Sequence, residues 1–244
     1  MGPGRGGCRG LLESLAEGRE WLRRLLAVTA AMYPPDDVHG LGHVLRVTCL
    51  ALKLVEGLEA DVDVVVAAGL LHDIGRVSED WSGIHHAVLS AIIAPWLLRS
   101  VGFPEEKISR VVEAILSHSF SLGFKPGSVE AAAISDADKL DAIGAVGIYR
   151  AAAEGFRRRR GIKGTIRHYY EKLARLRDML ILPAARRIAE ERTRLLDEFF
   201  KELELEAGDE DVVVDWVLGM VRSAGAHIIA GAQRRSTSST HGGC

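Results

Sequence analysis

The chain has 244 residues, of which 48% are hydrophobic and 26% are charged. These values are ordinary for a globular protein and exclude a collagen-like, low-complexity or disulfide-built chain. The formal net charge of -2 provides no polycationic field, so we do not expect a nucleic-acid partner. An acidic substrate must therefore be attracted by local positive charge.

The cysteines and the apolar segments indicate the compartment. Three cysteines without a C-x-x-C pair predict neither a disulfide framework nor a thiolate zinc site: Cys8, Cys49 and Cys244. The N-terminus lacks the apolar core of a secretory signal, and the most apolar later segment, 212–232, contains Asp215, Arg222 and His227. We interpret that segment as an amphipathic helix, and we expect a cytoplasmic protein with no membrane partner.

The composition changes at both ends of the chain. Residues 1–10 are rich in glycine and are expected to be flexible, and residues 231–244 are rich in Ser, Thr and Gly and are expected to be disordered. The segment between them, 11–230, is predicted to form a single all-helical domain. Its core spans about 30–155, and additional C-terminal helices extend over about 160–230.

Apolar residues recur at helical spacing along most of the chain. A first helix carries the apolar residues from Leu11 to Leu26 and ends at the prolines of segment 33–37. A second helix is predicted at about 43–57. A third starts near residue 61 and includes the apolar run 64–71; interspersed alanines and the lack of a partner strand favour a helix over a buried strand.

The rest of the chain is predicted to be helical as well, with one longer interruption. The segment GFRRRRGIKG (155–164) has glycine at both ends and is predicted to be a loop. Further helices are expected at about 85–100, 105–118, 128–141, 143–155, 164–179, 183–205 and 211–229.

The strongest chemical signal is LLHDIGR at 70–76, where an apolar helix ends in adjacent His72 and Asp73. A buried carboxylate is costly unless it is paired or binds a metal, and neutral imidazole is a common metal ligand. Taken alone, the pair is explained equally well by an aspartate that caps the helix and a histidine that is satisfied in the core.

Two further residues favour the metal. His43 begins an amphipathic helix in HGLGHVLRV, and Asp138 lies on an alanine-rich helix where aspartate has poor propensity. A mixed set of imidazole and carboxylate ligands suits a divalent transition metal such as Mn, Fe, Co, Ni or Zn.

The order H…HD…D resembles the HD superfamily of metal-dependent phosphohydrolases. Five segments carry a closer resemblance to a subgroup of small bacterial and archaeal HD hydrolases, some of which are nucleoside triphosphate pyrophosphohydrolases: HGLGHVLRV, AAGLLHDIGR, AILSHSF, ISDADKLDAIGAVGIYRA and HYYEKLARL. The resemblance covers roughly residues 30–200. It implies an all-α HD-domain helical bundle.

The resemblance also implies a set of metal ligands: His43, His72, Asp73 and Asp138. Asp138 is preferred to Asp136 and Asp141 because the last ligand of the family stands in an "AD" context before a Lys-Leu pair or a similar one. Asp141 lies three residues beyond Asp138 on the same helical face, so it could hydrogen-bond to a metal ligand without binding the metal itself.

Other histidines are less sharply defined. His118, in LSHSF, is a candidate auxiliary ligand or substrate-binding group, and a histidine that caps its helix by charge explains it equally well. Some relatives of the superfamily hold a second metal with two more histidines, for which His86 and His118 are the candidates here. The role of His85 stays open.

Candidate phosphate-binding groups are basic. Arg76 follows the His-Asp pair by three residues and could stabilise transition-state charge as a catalytic group, although a solvated turn also explains it. Lys172, with His168 four residues before it, is a second candidate for substrate binding, and a solvated face is the slightly better explanation. The run Arg157–Arg160 is most simply a solvated loop.

These observations predict a metal-dependent phosphohydrolase, either a phosphomonoesterase or a pyrophosphohydrolase. Asp73 would bind the metal and orient the attacking water, and the substrate would be a small phosphate ester or a nucleotide. Two alternatives are a dinuclear-iron oxygenase, which would need His86 and His118 as ligands, and a non-catalytic nucleotide or metal sensor. The intact ligand set argues against the sensor. The oligomeric state is left unpredicted.

Overall fold

The computed structural model describes residues 7–36, 38–210 and 212–222. All regular structure within these ranges is helical, which confirms the predicted all-α class. The chain divides into two compact units, Met1–Phe200 and Lys201–Cys244. In chain order the α-helices are α1 (Cys8–Ala16), α2 (Glu20–Met32), α3 (Leu41–Leu54), α4 (Val62–Leu71), α5 (Arg76–Ser82), α6 (His86–Val101), α7 (Ile108–His118), α8 (Val129–Asp141), α9 (Gly144–Arg157), α10 (Gly161–Glu171) and α11 (Pro183–Ala207).

Most helix predictions are confirmed to within a few residues. The prediction of one first helix is wrong, because Gly18 has a left-handed φ of +79° and separates α1 from α2. The short helix α5 has no counterpart in the sequence prediction. Residues 105–107 and 173–179 form 3-10 helices rather than α-helix.

The predicted loop over 155–164 is wrong. α9 continues to Arg157 and α10 begins at Gly161, so only three residues separate the two helices. Arg159 and Gly161 have positive φ values of 53° and 66°, which reverses the chain sharply. The run of arginines therefore lies on a tight helical turn.

The ends of the chain are described in part. α1 begins at Cys8, inside the segment that was expected to be flexible, while residues 1–6 lie outside the described residues. Residues 212–222 are helical, in agreement with the start of the last predicted helix. The remainder of that helix and the tail 231–244 lie outside the described residues. No helix in the described part of the chain is long and apolar enough to cross a membrane.

The core of the first unit is formed by α3, α4, α7 and α8, with α4 at its centre. All residues from Val64 to Leu71 are buried, which explains why this helix is apolar on every side. Gly69 allows α3 to approach closely, since a Cβ at this position would lie 2.6 Å from Oγ1 of Thr48. The close packing of these helices places the C-terminus of α4, and the residues that follow it, in the interior.

α1 and α3 are joined by a disulfide that the sequence analysis did not predict. Cys8 and Cys49 are paired, with their Cα atoms 5.5 Å apart across a sequence separation of 41 residues. The spacing of three distant cysteines cannot reveal such a pair, because it depends on how the two helices pack.

Candidate metal centre and active site

Three helical segments bring four predicted side chains to one point. His43 lies in the first turn of α3, His72 and Asp73 follow α4, and Asp138 lies near the end of α8. The Nε2 atom of His43 is 3.3 Å from Nε2 of His72, 3.4 Å from Oδ1 of Asp138 and 3.7 Å from Oδ2 of Asp73. Four potential ligand atoms from distant parts of the sequence therefore face each other.

The burial of this cluster fits a metal. His43 and His72 have no exposed surface and Asp73 is 1% exposed, whereas the side chain of Asp138 is 29% exposed. Oδ1 of Asp73 is buried without a hydrogen-bond partner in the described structure. A buried carboxylate oxygen without a donor is costly unless a cation satisfies it. Three candidate metal-binding groups among the described residues share members of this cluster: His43, His72 and Asp138; His72, Asp73 and His118; and His39, His43 and Asp73.

Hydrogen bonds orient both imidazoles. Nδ1 of His43 lies 2.8 Å from Oδ2 of Asp141, and Nδ1 of His72 lies 2.8 Å from the carbonyl oxygen of Gly69. In each ring Nδ1 therefore donates, and Nε2 carries the lone pair that faces the cluster. Burial lowers the pKa of His72 to about 3 and lowers that of His43 as well. Both rings are thus neutral at neutral pH, as metal ligands must be.

The three aspartates of α8 have different surroundings. Asp138 approaches Nε2 of His43, whereas Asp136 accepts hydrogen bonds from the backbone N–H groups of Ile181 and Leu182 at 2.7–3.0 Å. Asp141 contacts the opposite side of the His43 ring. Burial by itself would raise the pKa of Asp141, but hydrogen bonds from His43 and Arg46 hold it below its usual range.

Arg76 points into the cluster. Its Nε donates to Oδ2 of Asp73 at 2.8 Å, and its Nη2 lies 3.0 Å from Nε2 of His86. Nδ1 of His86 in turn lies 2.9 Å from Oε1 of Glu79. His86 therefore donates from Nδ1 to a carboxylate and accepts from the arginine at Nε2, so both of its nitrogens are engaged.

His118 also faces the cluster. Its Nδ1 donates to the carbonyl oxygen of Ile115, which turns Nε2 toward Oδ1 of Asp73 at 3.7 Å. His86 approaches the same oxygen, with its Nε2 at 3.5 Å. The ring of His85 packs against that of His86 at a tilt of 32°, with ring centroids 4.1 Å apart, and its Nε2 lies 2.8 Å from Oγ of Ser121.

The cluster opens into a space of about 370 Å³, which we call the central cavity. Asp138, His118, Arg76 and Lys172 all line it, so both predicted phosphate-binding groups face the same space. The sequence analysis missed further residues of its wall: His39, Asp80, Arg150 and Arg158. Only the charge of the arginine run and the His39-x-x-x-His43 spacing could have drawn attention to them.

Arg150 connects three parts of the site. Its guanidinium donates to Oδ2 of Asp141 at 3.0 Å and to the carbonyl oxygen of Val38 at 2.9 Å. A third nitrogen lies 3.4 Å from Nδ1 of His39, whose ring is in turn 3.7 Å from Oδ2 of Asp73. Arg150 therefore links α9 and the loop before α3 to Asp141, the residue that orients the ring of His43.

A smaller space of about 180 Å³, the basic cavity, adjoins the central cavity. Arg76, Arg150, Arg158 and Lys172 line both, and Arg160 and His168 line the basic cavity. Nη1 of Arg160 is buried without a hydrogen-bond partner within the described ranges. An unsatisfied guanidinium nitrogen in a cavity of cations favours an anionic ligand. Arg157, Arg158 and Arg159 are exposed, as expected for a solvated run, whereas Arg160 is partly buried.

The buried histidines should make the metal-free protein sensitive to acid. Burial lowers the pKa of His72 to about 3 and that of His86 to about 4, below the value of about 6.5 for an unfolded chain. As the pH falls below about 6.5, the unfolded state binds protons first, so stability is present above this value and is lost toward pH 4. We expect each of these histidines to contribute a loss of up to about 1.4 kcal/mol per pH unit.

Urea unfolding of chelator-treated protein between pH 7.5 and 5 measures this effect. His86→Gln should reduce the pH slope by about one proton. A free energy of unfolding that is independent of pH over this range would contradict the prediction.

Comparisons with known proteins agree with this arrangement. The HD domain family model matches residues 40–143, which include all four converging side chains. The Bacillus subtilis protein YpgQ is 32% identical over 201 residues, which cover 79% of this chain and 93% of YpgQ.

Solved structures give the same result. The crystal structure of Bacillus subtilis YpgQ in complex with ADP aligns with a TM-score of 0.64 and 30% identity, over 78% of this chain and 96% of that one. A predicted HD superfamily hydrolase from an uncultured Thermotogales bacterium aligns with a TM-score of 0.60 and 29% identity, over 81% and 99% of the two chains. This chain therefore belongs to the HD-domain superfamily of metal-dependent hydrolases.

Proposed function

We propose that the protein is a metal-dependent phosphohydrolase that acts on a nucleotide. The observation that carries this proposal is the convergence of His43, His72, Asp73 and Asp138 next to a cavity that Asp138 lines together with arginine and lysine side chains. The proposed metal ligands therefore lie next to the proposed phosphate-binding side chains. The similarity to YpgQ, whose structure was determined with ADP, supports a nucleotide as the substrate.

The proposed ligands of the metal are Nε2 of His43, Nε2 of His72 and carboxylate oxygens of Asp73 and Asp138. Neutral imidazoles and carboxylates fit a divalent transition metal such as Mn, Fe, Co, Ni or Zn. When bound, this metal would supply a Lewis acid that activates water and withdraws charge from a phosphate oxygen.

The protein's own side chains orient the water and bind the substrate. Asp73 orients the attacking water by accepting a hydrogen bond from it. Arg76 and Lys172 bind non-bridging phosphate oxygens, and His118, which lines the same cavity, positions the substrate. As the water attacks phosphorus, the phosphorus–oxygen bond to the leaving group breaks, and the cations stabilise the charge that spreads over the phosphate oxygens.

The contacts of Arg76 favour one metal over two. Its guanidinium lies between Asp73 and His86, and it occupies the lone pair of His86 that a second metal would need. Arg76 thus provides a permanent second positive charge next to the proposed metal. A dinuclear oxygenase would require His86 as a ligand, so this arrangement supports the hydrolase.

The basic cavity favours a chain of phosphates over a single one. A lone phosphate carries about two negative charges and can be bound by the metal and Arg76. Four arginines, a lysine and two histidines surround the basic cavity, with Glu154 as the acidic side chain among its described lining residues. The additional cations support a pyrophosphohydrolase that cleaves a nucleoside triphosphate to the monophosphate and pyrophosphate.

Removal of the Asp141 carboxylate should weaken metal binding without removing a ligand. Asp141 accepts the Nδ1–H of His43 at 2.8 Å, and Asp141→Asn disturbs the orientation and basicity of that ring. We expect metal affinity to fall by about 10–100-fold, as measured by competition with a chelator. Asp136→Asn is a matched control on the same helix, and it should reduce stability but leave metal affinity unchanged. Wild-type affinity in Asp141→Asn would contradict this role.

A substrate screen tests the proposed function. Protein reconstituted separately with Mn, Fe, Co, Ni and Zn is incubated with nucleoside mono-, di- and triphosphates and with simple phosphate esters. Release of phosphate and of pyrophosphate is measured in parallel. Pyrophosphate release from triphosphates is the expected result. No release from any substrate with any metal would refute the proposal.

A further inference from the structure

A second space, which we call the side cavity, opens beside the central cavity between the loop before α3 and the short helix α5. Its volume is about 370 Å³, within the range of sites that bind small organic ligands. His39, Arg76 and Asp80 line both spaces, so the side cavity is continuous with the central cavity at these side chains. An organic group attached to a phosphate in the central cavity can therefore extend into it.

The wall of the side cavity differs in chemistry from that of the basic cavity. Pro34, Val38 and Val77 form an apolar surface, and the wall also contains three carboxylates and three arginines: Asp36, Glu79, Asp80, Arg76, Arg157 and Arg158. Carboxylates and arginines therefore balance in the side cavity, whereas cations outnumber carboxylates in the basic cavity. Carboxylates repel phosphates but accept hydrogen bonds from hydroxyl and amino groups. An apolar surface next to such acceptors suits a sugar and a heteroaromatic base, whereas the basic cavity suits phosphates.

Part of this wall is held rigidly. Oδ1 of Asp36 accepts hydrogen bonds from the backbone N–H groups of Val38, His39 and Gly40 at 2.9–3.0 Å. Glu79 is engaged by His86 and Arg76. Asp80, on the exposed side of α5, is therefore the carboxylate best placed to contact a ligand in both spaces.

We infer that the side cavity binds the nucleoside part of the substrate and that Asp80 and Val77 determine the preference for nucleotides. This inference rests on the proposed phosphohydrolase function. The phosphate chain extends from the metal site toward Arg150 and Arg160, which line the basic cavity but not the side cavity, and the nucleoside occupies the side cavity. Asp80 accepts a hydrogen bond from a hydroxyl or amino group, and Val77 packs against the sugar or base.

A comparison of nucleotide analogues with inorganic triphosphate isolates the nucleoside contribution. Dissociation constants are measured for the metal-loaded full-length protein with α,β-methylene analogues of ATP and GTP and with inorganic triphosphate. The ratio of these constants reports the advantage that the nucleoside confers. In the wild type the nucleotide analogue should bind more tightly. Asp80→Asn should reduce that advantage about tenfold, because a hydrogen bond to a charged acceptor is lost.

Val77→Lys, which fills the cavity from an exposed position on α5, should reduce the ratio in the same direction. Two matched controls lie outside the three cavities and should leave the ratio unchanged: Asp178→Asn and Ile92→Lys. Equal affinity of the wild type for nucleotide and inorganic triphosphate would overturn the inference, as would an unchanged ratio in both side-cavity variants. Because binding needs no turnover, the ratio is read independently of the hydrolysis screen.

Discussion

Asp73→Ala is expected to abolish metal binding and hydrolysis together. Asp73 is 1% exposed and is the carboxylate shared by the contacts of His43, His86 and His118. Its removal deletes a proposed ligand and the group proposed to orient the attacking water. The loss of metal affinity and activity should therefore exceed the factor of about 10–100 that is typical when a residue that hydrogen-bonds to a metal ligand is replaced. Elemental analysis of the purified variant and the hydrolysis assay measure the two effects.

Two comparisons make this result specific. Asp178→Asn, an exposed acidic residue outside the cluster, should keep both metal and activity, which excludes a general effect of lost negative charge. Circular dichroism should show that Asp73→Ala remains helical. A variant with wild-type metal content and wild-type kcat would remove Asp73 from the site.

Arg76→Ala is expected to lower kcat by about 10²–10³, or roughly 3–4 kcal/mol, while metal content stays near stoichiometric. The guanidinium is held beside Asp73 by a 2.8 Å hydrogen bond and lines the central cavity, where the proposed reaction would develop charge on the phosphate. Its loss removes charge stabilisation that matters most in the transition state. Steady-state kinetics on the best substrate of the screen, together with elemental analysis, separate the two quantities.

Arg76→Lys provides the conservative comparison. A lysine keeps the charge but cannot contact Asp73 and His86 with one planar group, so kcat should lie between those of the wild type and Arg76→Ala. Unchanged kcat in Arg76→Ala would indicate that Lys172 is the principal phosphate contact. Loss of the metal in Arg76→Ala would instead assign the arginine a role in holding Asp73.

The local sequence predicted the helical class and the neighbourhood of the site well. Helical periodicity depends on residues three and four positions apart, and it found α3, α4 and α6–α9. It failed where single residues override the pattern. Gly18 splits the first helix by adopting a left-handed φ, and the turn around Arg159 is much shorter than the glycines of segment 155–164 suggested.

Contacts between elements that are far apart in the sequence could not be predicted from the sequence. The Cys8–Cys49 disulfide joins α1 to α3, and the bond from Arg150 to Val38 joins α9 to the loop before α3. Neither pair has a recognisable spacing, because contacts of this kind follow from how helices pack rather than from periodicity along the chain.

The sequence by itself determined that the chain is helical and that a His…His-Asp…Asp order could bind a metal. The tertiary structure decided which of the three aspartates of α8 approaches Nε2 of His43, and it placed Asp141 behind the ring and Asp136 against the backbone of 181–182. The tertiary structure also determines that Arg76 contacts Asp73 and His86. The physical reason is that propensity and motif act within a few residues, whereas the direction of a side chain is set by the burial and pairing of charges between elements that meet only in the folded protein.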